Sequence, residues 1–193
     1  MALLNATKKQ WSGTLSASYQ YVRVEGFTVV HDWWNYALLK RGYTKRLHPV
    51  GMLYYGAAKS FGMERALVGG VGVGLNVVRK SPVKFVRINT IVGYLNFNYS
   101  INSSVEGAVL NSFLNASWPL GKQAQLNLQT HGYLAPNESD VYGFQNTVQL
   151  AFPITRQVSA TLSHMLVYSE RVDEGKEQLN TTLLAGILLR PAL

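Results

Sequence analysis

The sequence predicts an all-β fold: an antiparallel, up-and-down transmembrane β-barrel in a single domain over residues 1–193, with ten clear strands and an eleventh or twelfth at the N-terminal end. Three observations predict it. Apolar and polar residues alternate with a period of two through ten segments, as in strands with one apolar face. Turn-like links alternate with longer ones, the layout of membrane barrels that carry short turns at one rim and loops at the other. Charge gathers at segment ends and almost vanishes from their middles.

In chain order, Ala2–Thr7 is the candidate additional strand. From Trp11 to Tyr21 the odd positions are Trp11, Gly13, Leu15, Ala17, Tyr19 and Tyr21, and the even ones are Ser, Thr or Gln. Asp32–Thr44 and Val50–Ser60 are apolar on both faces, so they read as strands of undetermined phase. Arg65–Val78, Lys84–Tyr99 and Val105–Trp118 resume the alternation. Gln123–Leu134 sets Leu126, Leu128 and Leu134 against Gln125, Asn127, Gln129 and His131. Asp140–Phe152, Val158–Tyr168 and Gln178–Arg190 complete the set, and no stretch has a helical period. Turns are expected at Arg46–Pro49, Arg79–Pro82, Pro119–Lys122 and Pro153–Arg156, where each Pro would stop a strand by withholding a ladder donor. Longer loops are expected at Arg23–Val30, Phe61–Glu64, Asn98–Ser104, Ala135–Ser139 and Ser169–Lys176. Each repeating unit has room for two strands, so propeller blades, which need four, do not fit.

The chain is 47% hydrophobic and 15% charged, with no cysteine. That excludes a disordered chain, a disulfide framework, a zinc ribbon and a thiol nucleophile. No run reaches the ~18 apolar residues of a transmembrane helix. Met1–Gln10 lacks the basic stretch and apolar core of a signal peptide, so the chain is expected to be processed or to begin inside a longer one.

The net charge of +8 is polarised along the strands. All ten acidic residues, from Glu25 and Asp32 to Glu174 and Glu177, fall at the loop end. Lys8, Lys9, Lys40, Arg41, Lys45, Arg46, Arg79, Lys80, Lys84, Lys122, Arg156 and Arg190 fall at the turn end. A basic rim suits an anionic leaflet, so outer-membrane lipid is the expected partner, with protein partners reached through the loops or basic turns. Nucleic acid is not expected, because basic residues are not interleaved with aromatics on one surface. A soluble lipocalin-like carrier would set Lys and Glu along its outward face, whereas the mid-strand polar positions here are Ser, Thr, Asn and Gln. Arg87 is the main exception. Its phase opposes Val86 and Ile88, so it is expected to point inward.

Aromatic residues cluster toward strand ends: Trp11, Trp33, Trp34, Tyr36, Tyr54, Tyr55, Tyr94, Tyr99, Trp118, Tyr142, Phe144, Phe152 and Tyr168. Amphipathic rings favour the headgroup level. Trp11, Trp33, Trp34, Trp118, Phe152 and Tyr168 are therefore expected at the membrane interface.

The inward stripes carry the functional surface. Arg87, Asn89, Asn111, Asn115, Gln123, Gln125, Asn127, Gln129, His131, Gln145 and Gln149 are expected to line the lumen, with Ser117, Ser159, Thr161 and Ser163. Amides and hydroxyls can bond one another or hold water in a narrow passage. His31, His48, His131 and His164 lack metal-ligand spacing, and His131 is read as the lumen histidine. No metal, cofactor or catalysis is expected. The glycine run Gly69–Gly74 lies inside an alternating strand rather than before a helix, so it is no phosphate loop. A side-chain-free stripe instead lets bulky neighbours fill a narrow interior or lets the sheet bend.

Several motifs resemble the salt-induced outer-membrane protein family, bacterial barrels of unassigned function. They are Trp11–Tyr21 followed by Asp32-Trp33-Trp34-Asn35, the strand Gly69–Leu75, Asn89–Tyr94, and Phe144-Gln145-Asn146-Thr147 with Phe152-Pro153-Ile154-Thr155. The resemblance covers most of residues 10 to 190 and implies an integral barrel in the outer membrane of a Gram-negative bacterium. It also implies further strands before Trp11, of which Ala2–Thr7 would be the tail. The ending Leu189-Arg190-Pro191-Ala192-Leu193 departs from the terminal aromatic residue usual in such barrels. The expected role is structural or that of a narrow, porin-like pore. The alternatives are an accessory barrel that binds partners in an envelope complex and a soluble ligand carrier.

Overall fold

The computed structural model describes residues 2–24, 27–81, 83–100, 104–121, 123–137, 141–155, 158–170, 172 and 178–189. Eleven strands follow one another: β1 (Ala2–Lys8), β2 (Trp11–Val24), β3 (Phe27–Arg41), β4 (Leu47–Ala58), β5 (Met63–Ser81), β6 (Lys84–Tyr99), β7 (Ser104–Leu120), β8 (Ala124–Leu134), β9 (Tyr142–Pro153), β10 (Val158–Ser169) and β11 (Leu179–Leu189). They form one sheet in sequence order, every pair antiparallel, and the sheet curls into a half-barrel. The candidate strand Ala2–Thr7 is β1, paired with β2 from Ala2↔Ala17 to Lys8↔Trp11. Among the described residues β1 and β11 are the two edges. Arg190–Leu193, Lys122, Arg156 and most of the acidic loop residues lie outside the described residues.

The curl follows from a ring contact. Tyr36 on β3 and Phe113 on β7 have centroids 5.8 Å apart, although four strand spacings on a flat sheet would separate them by roughly 19 Å. Glycine makes this curvature available on β5 and β6. A Cβ at Gly72 would run into the Thr90 carbonyl, and one at Gly93 into the Gly69 carbonyl.

Prolines behave differently from expectation. Pro49, Pro119 and Pro153 lie inside strands, paired with Val73, Gln125 and Ser159. Each sits past the end of pairing with its other neighbour, which stops at Lys40↔Val50, Phe85↔Ser117 and Gln125↔Ala151. A residue with only one neighbouring strand can spare its donor. The turn expected at Arg46–Pro49 is therefore Gly42–Arg46, where Gly42 adopts φ 65° and its N–H reaches the Gln10 carbonyl at 2.6 Å. The loop expected at Arg23–Val30 is also shorter, because pairing of β2 with β3 runs out to Val24↔Phe27. The run Phe27-Thr28-Val29-Val30 has the β-branched and aromatic makeup that prefers a pleated surface.

On the concave side, Leu38, Val50, Met52, Phe61, Met63, Val68, Ile91, Leu95, Phe97, Val105, Val109 and Phe113 form a buried apolar cluster over β3–β7. A 3-10 turn, Lys59–Phe61, closes its loop end. Asp32 holds that turn: the Ser60 N–H donates to Oδ1 at 3.0 Å and the Ser60 hydroxyl to Oδ2 at 2.5 Å. Ser60→Ala is expected to cost about 1.5 kcal/mol, one hydrogen bond to a charged group. The unfolding midpoint of the protein refolded in detergent checks this, with the urea slope unchanged.

Candidate functional site

The concave face carries the chemistry. By register, Arg87, Asn89, Asn111, Asn115, Gln125, Asn127, Gln129, His131, Gln145 and Gln149 share this face with the apolar cluster. Gln123 does not join them; it is exposed in the turn before β8, which begins at Ala124.

Two zones divide the polar residues. Over β7–β10, amides and hydroxyls make a chain across the strands. Gln125 Nε2 donates to Ser117 Oγ (2.7 Å) and Asn127 Oδ1 (3.0 Å), Asn127 Nδ2 to Gln149 Oε1 (3.3 Å), and Gln149 Nε2 to Ser163 Oγ (3.1 Å). Beside this chain, the His131 ring stacks on Phe113 with centroids 4.2 Å apart and planes 2° from parallel, while its Nε2 meets Asn111 Oδ1 at 3.2 Å. Tyr36, Phe113 and His131 thus form an aromatic bridge from β3 to β8, and it narrows the interior.

The second zone lies at the turn end of β3–β6. Asn76 organises it: Nδ2 donates to the Tyr43 and Lys45 carbonyls at 2.9 and 2.6 Å, and Oδ1 accepts from Arg87 Nε at 2.8 Å. One carboxamide therefore ties the Gly42–Arg46 turn to the orientation of Arg87. Lys40 and His48 are buried on the same face, within electrostatic reach of Arg87. His48 Nε2 and the Asn89 carboxamide lie over Gly74, with Asn89 Oδ1 2.7 Å from where a Cβ would stand.

Lys40 and His48 lie on β3 and β4, whose two apolar faces give no phase, so neither reads as inward from the sequence. His48 falls in the expected turn Arg46–Pro49 and His131 is the expected lumen histidine; both lie on the concave face. Pairing β4 against the glycine-marked face of β5 (His48↔Gly74, Val50↔Gly72) would have given their phase.

The convex face is apolar along its middle, with Val71, Val73, Ile88, Val92, Leu162, Leu183 and Ile187 exposed. Aromatics flank this band. Trp11, Trp118 and Phe152 lie toward the turns, and Trp33, Tyr55, Tyr94, Tyr142, Phe144 and Tyr168 toward the loops. Lys84 Nζ sits 4.1 Å over the Trp118 ring and the Arg41 guanidinium 5.6 Å over Trp11, so cations and rings share the turn-side rim. Trp34 is a correction to the expected belt, and Tyr36, Tyr54 and Tyr99 join it away from the exterior. They lie on the concave face, where Trp34 packs on Tyr54 at 4.9 Å, because alternation sends Trp33 and Trp34 to opposite sides.

The family described as a protein of unknown function, DUF481, matches residues 2–190. That description does not carry the salt-induced outer-membrane designation. Among solved structures, the fold is similar to that of the NanC porin in a rhombohedral crystal form. The likeness has a TM-score of 0.64 at 8% identity and covers 98% of this chain and 91% of that one. No curated protein matches the sequence.

Proposed function

We propose, from the premise that the chain belongs to the DUF481 family of unknown function, that it is an integral outer-membrane β-barrel of the salt-induced type, acting as a narrow pore without catalysis. The observation that carries this reading is the convex face. Val71 is 74%, Ile187 72% and Leu183 68% exposed, and the strand centres around them bear no Lys, Arg, Asp or Glu on that side. Water-soluble monomers rarely leave so continuous an apolar surface uncovered, and lipid is the solvent it suits. The polarised charge and the rings at both ends of the band agree with a bilayer lying between them.

The pore is read as narrow because the aromatic bridge and the apolar cluster occupy much of the concave side. The amide chain over β7–β10 offers water a polar wall beside them. The same bridge favours a second reading, a sealed barrel that works through its loops or basic turns. Planar bilayers separate the two. The purified full chain is expected to give conductance steps above the lipid background but well below those of a wide porin. A folded, inserted protein that gives no steps is the sealed barrel, and a protein recovered dissolved after cell lysis without detergent defeats both.

A further inference from the structure

We infer that the turn-side cluster of Lys40, His48, Arg87 and Asn89 on the concave face binds a small oxyanion, a carboxylate or phosphate group carried by a solute. Its bearing on permeation rests on the channel reading above; the binding site itself stands on the unpaired polar groups and cations of that cluster.

Lys40 is 7% exposed, His48 2% and Asn89 0%, and Arg87 is half-buried among them. Among the described residues, Asn89 Oδ1, Asn89 Nδ2 and His48 Nε2 have no hydrogen-bond partner. Buried polar atoms are nearly always paired, so unpaired ones on two adjacent side chains, two of them meeting over Gly74, mark a place built for another molecule. The charge has one sign. Lys40 and His48 lie within electrostatic reach of Arg87, as does the exposed Arg79, and the described carboxylates Asp32, Glu64, Glu106 and Glu170 lie toward the loops. Among the described residues the ion pair is Lys59–Glu64 at 3.3 Å, at the opposite end. Cations brought together out of water without a counter-charge are costly, and an anion seated among them relieves that cost.

Geometry then selects the kind of anion. Arg87 spends Nε on Asn76, which fixes the guanidinium plane beside the Phe85 ring (5.5 Å); among the described residues its two terminal nitrogens have no hydrogen-bond partner. Such a fork matches two oxygens of one carboxylate or phosphate, a match that a spherical halide cannot make. The Asn89 amide and the His48 ring add neutral partners beside it. The absence of a side chain at Gly74 lets the His48 ring and the Asn89 carboxamide come together over its backbone, where a Cβ would collide with both.

The test uses the full chain refolded in detergent micelles at low ionic strength, titrated calorimetrically with sodium acetate, inorganic phosphate and sodium chloride in separate arms. Saturable binding of acetate or phosphate is expected, and the tighter arm identifies the group. Arg87→Gln and Lys40→Gln are each expected to weaken it at least tenfold, with folding checked by circular dichroism. If Arg87→Gln fails to fold, Lys40→Gln and Asn89→Leu carry the same test. Absence of saturation in both oxyanion arms overturns the proposal. So does equal affinity in wild type and folded variants, or chloride binding as tightly as the oxyanions. Reversal potentials under a KCl gradient separate this from the channel reading. Currents without oxyanion binding leave the channel and remove the site, whereas binding without currents leaves the site and removes the channel.

Discussion

Val71→Arg is expected to destabilise the protein in lipid by ~2–4 kcal/mol, the cost of an arginine at mid-bilayer on a barrel's outer face. Val71 lies near the middle of β5, between Gly51 and Val92, and nothing on the protein covers it. In water, an exposed valine exchanged for arginine changes stability by ~0.5 kcal/mol or less. The two solvents therefore predict results that differ several-fold at one position. Val77→Arg is the internal control: that residue is also exposed, but it stands two positions from Arg79 near the turns, where the cost falls to ~0–1 kcal/mol. Denaturant unfolding of both variants in phospholipid vesicles measures the difference. Equal, small effects at the two sites would remove hydrocarbon from the picture.

Gly72→Val is expected to cost about 3 kcal/mol, the upper end for forcing atoms into a packed site. The obstacle is main chain rather than a movable side chain: a Cβ at Gly72 meets the Thr90 carbonyl and the Cα of Ile91. Relief requires β5 and β6 to part where they pair as Gly72↔Ile91, which flattens the sheet and draws Tyr36 away from Phe113. Gly132→Val on β8 makes the contrast. There the nearest backbone atom to a Cβ is the Gly143 carbonyl at 3.8 Å, so a much smaller loss is expected in the same unfolding experiment.

How much could be read in advance depended on whether the two faces of a strand meet different surroundings. From β8 to β10, and over the turn-side halves of β6 and β7, one face carries hydroxyls and amides and the other meets the apolar exterior. There the alternation alone sets Arg87, Asn89, Asn111, Asn115, Gln125, Asn127, Gln129 and His131 on one face. On β3 and β4 both sides are apolar, because Leu38, Val50 and Met52 enter the interior cluster while Leu39 and Leu53 face outward. Period two disappears when both faces carry like residues, and Trp34, Lys40 and His48 were lost with it. Gln123 failed for another reason. Alternation continues through the turn, but Gly121 at φ 67° ends the ladder first, so a residue in phase with the strand is not on it. The prolines misled because a strand with one partner tolerates what a strand with two does not.

The edges impose a rule of parity. In a meander, strands of odd rank share a direction, so β1 and β11 run the same way. Stitching them directly would introduce one parallel seam into a sheet whose every other joint is antiparallel. Any ribbon that closes the cylinder in the prevailing sense must run against both rims at once. One such ribbon satisfies that condition and two would undo it, so closure in that sense belongs to an even tally.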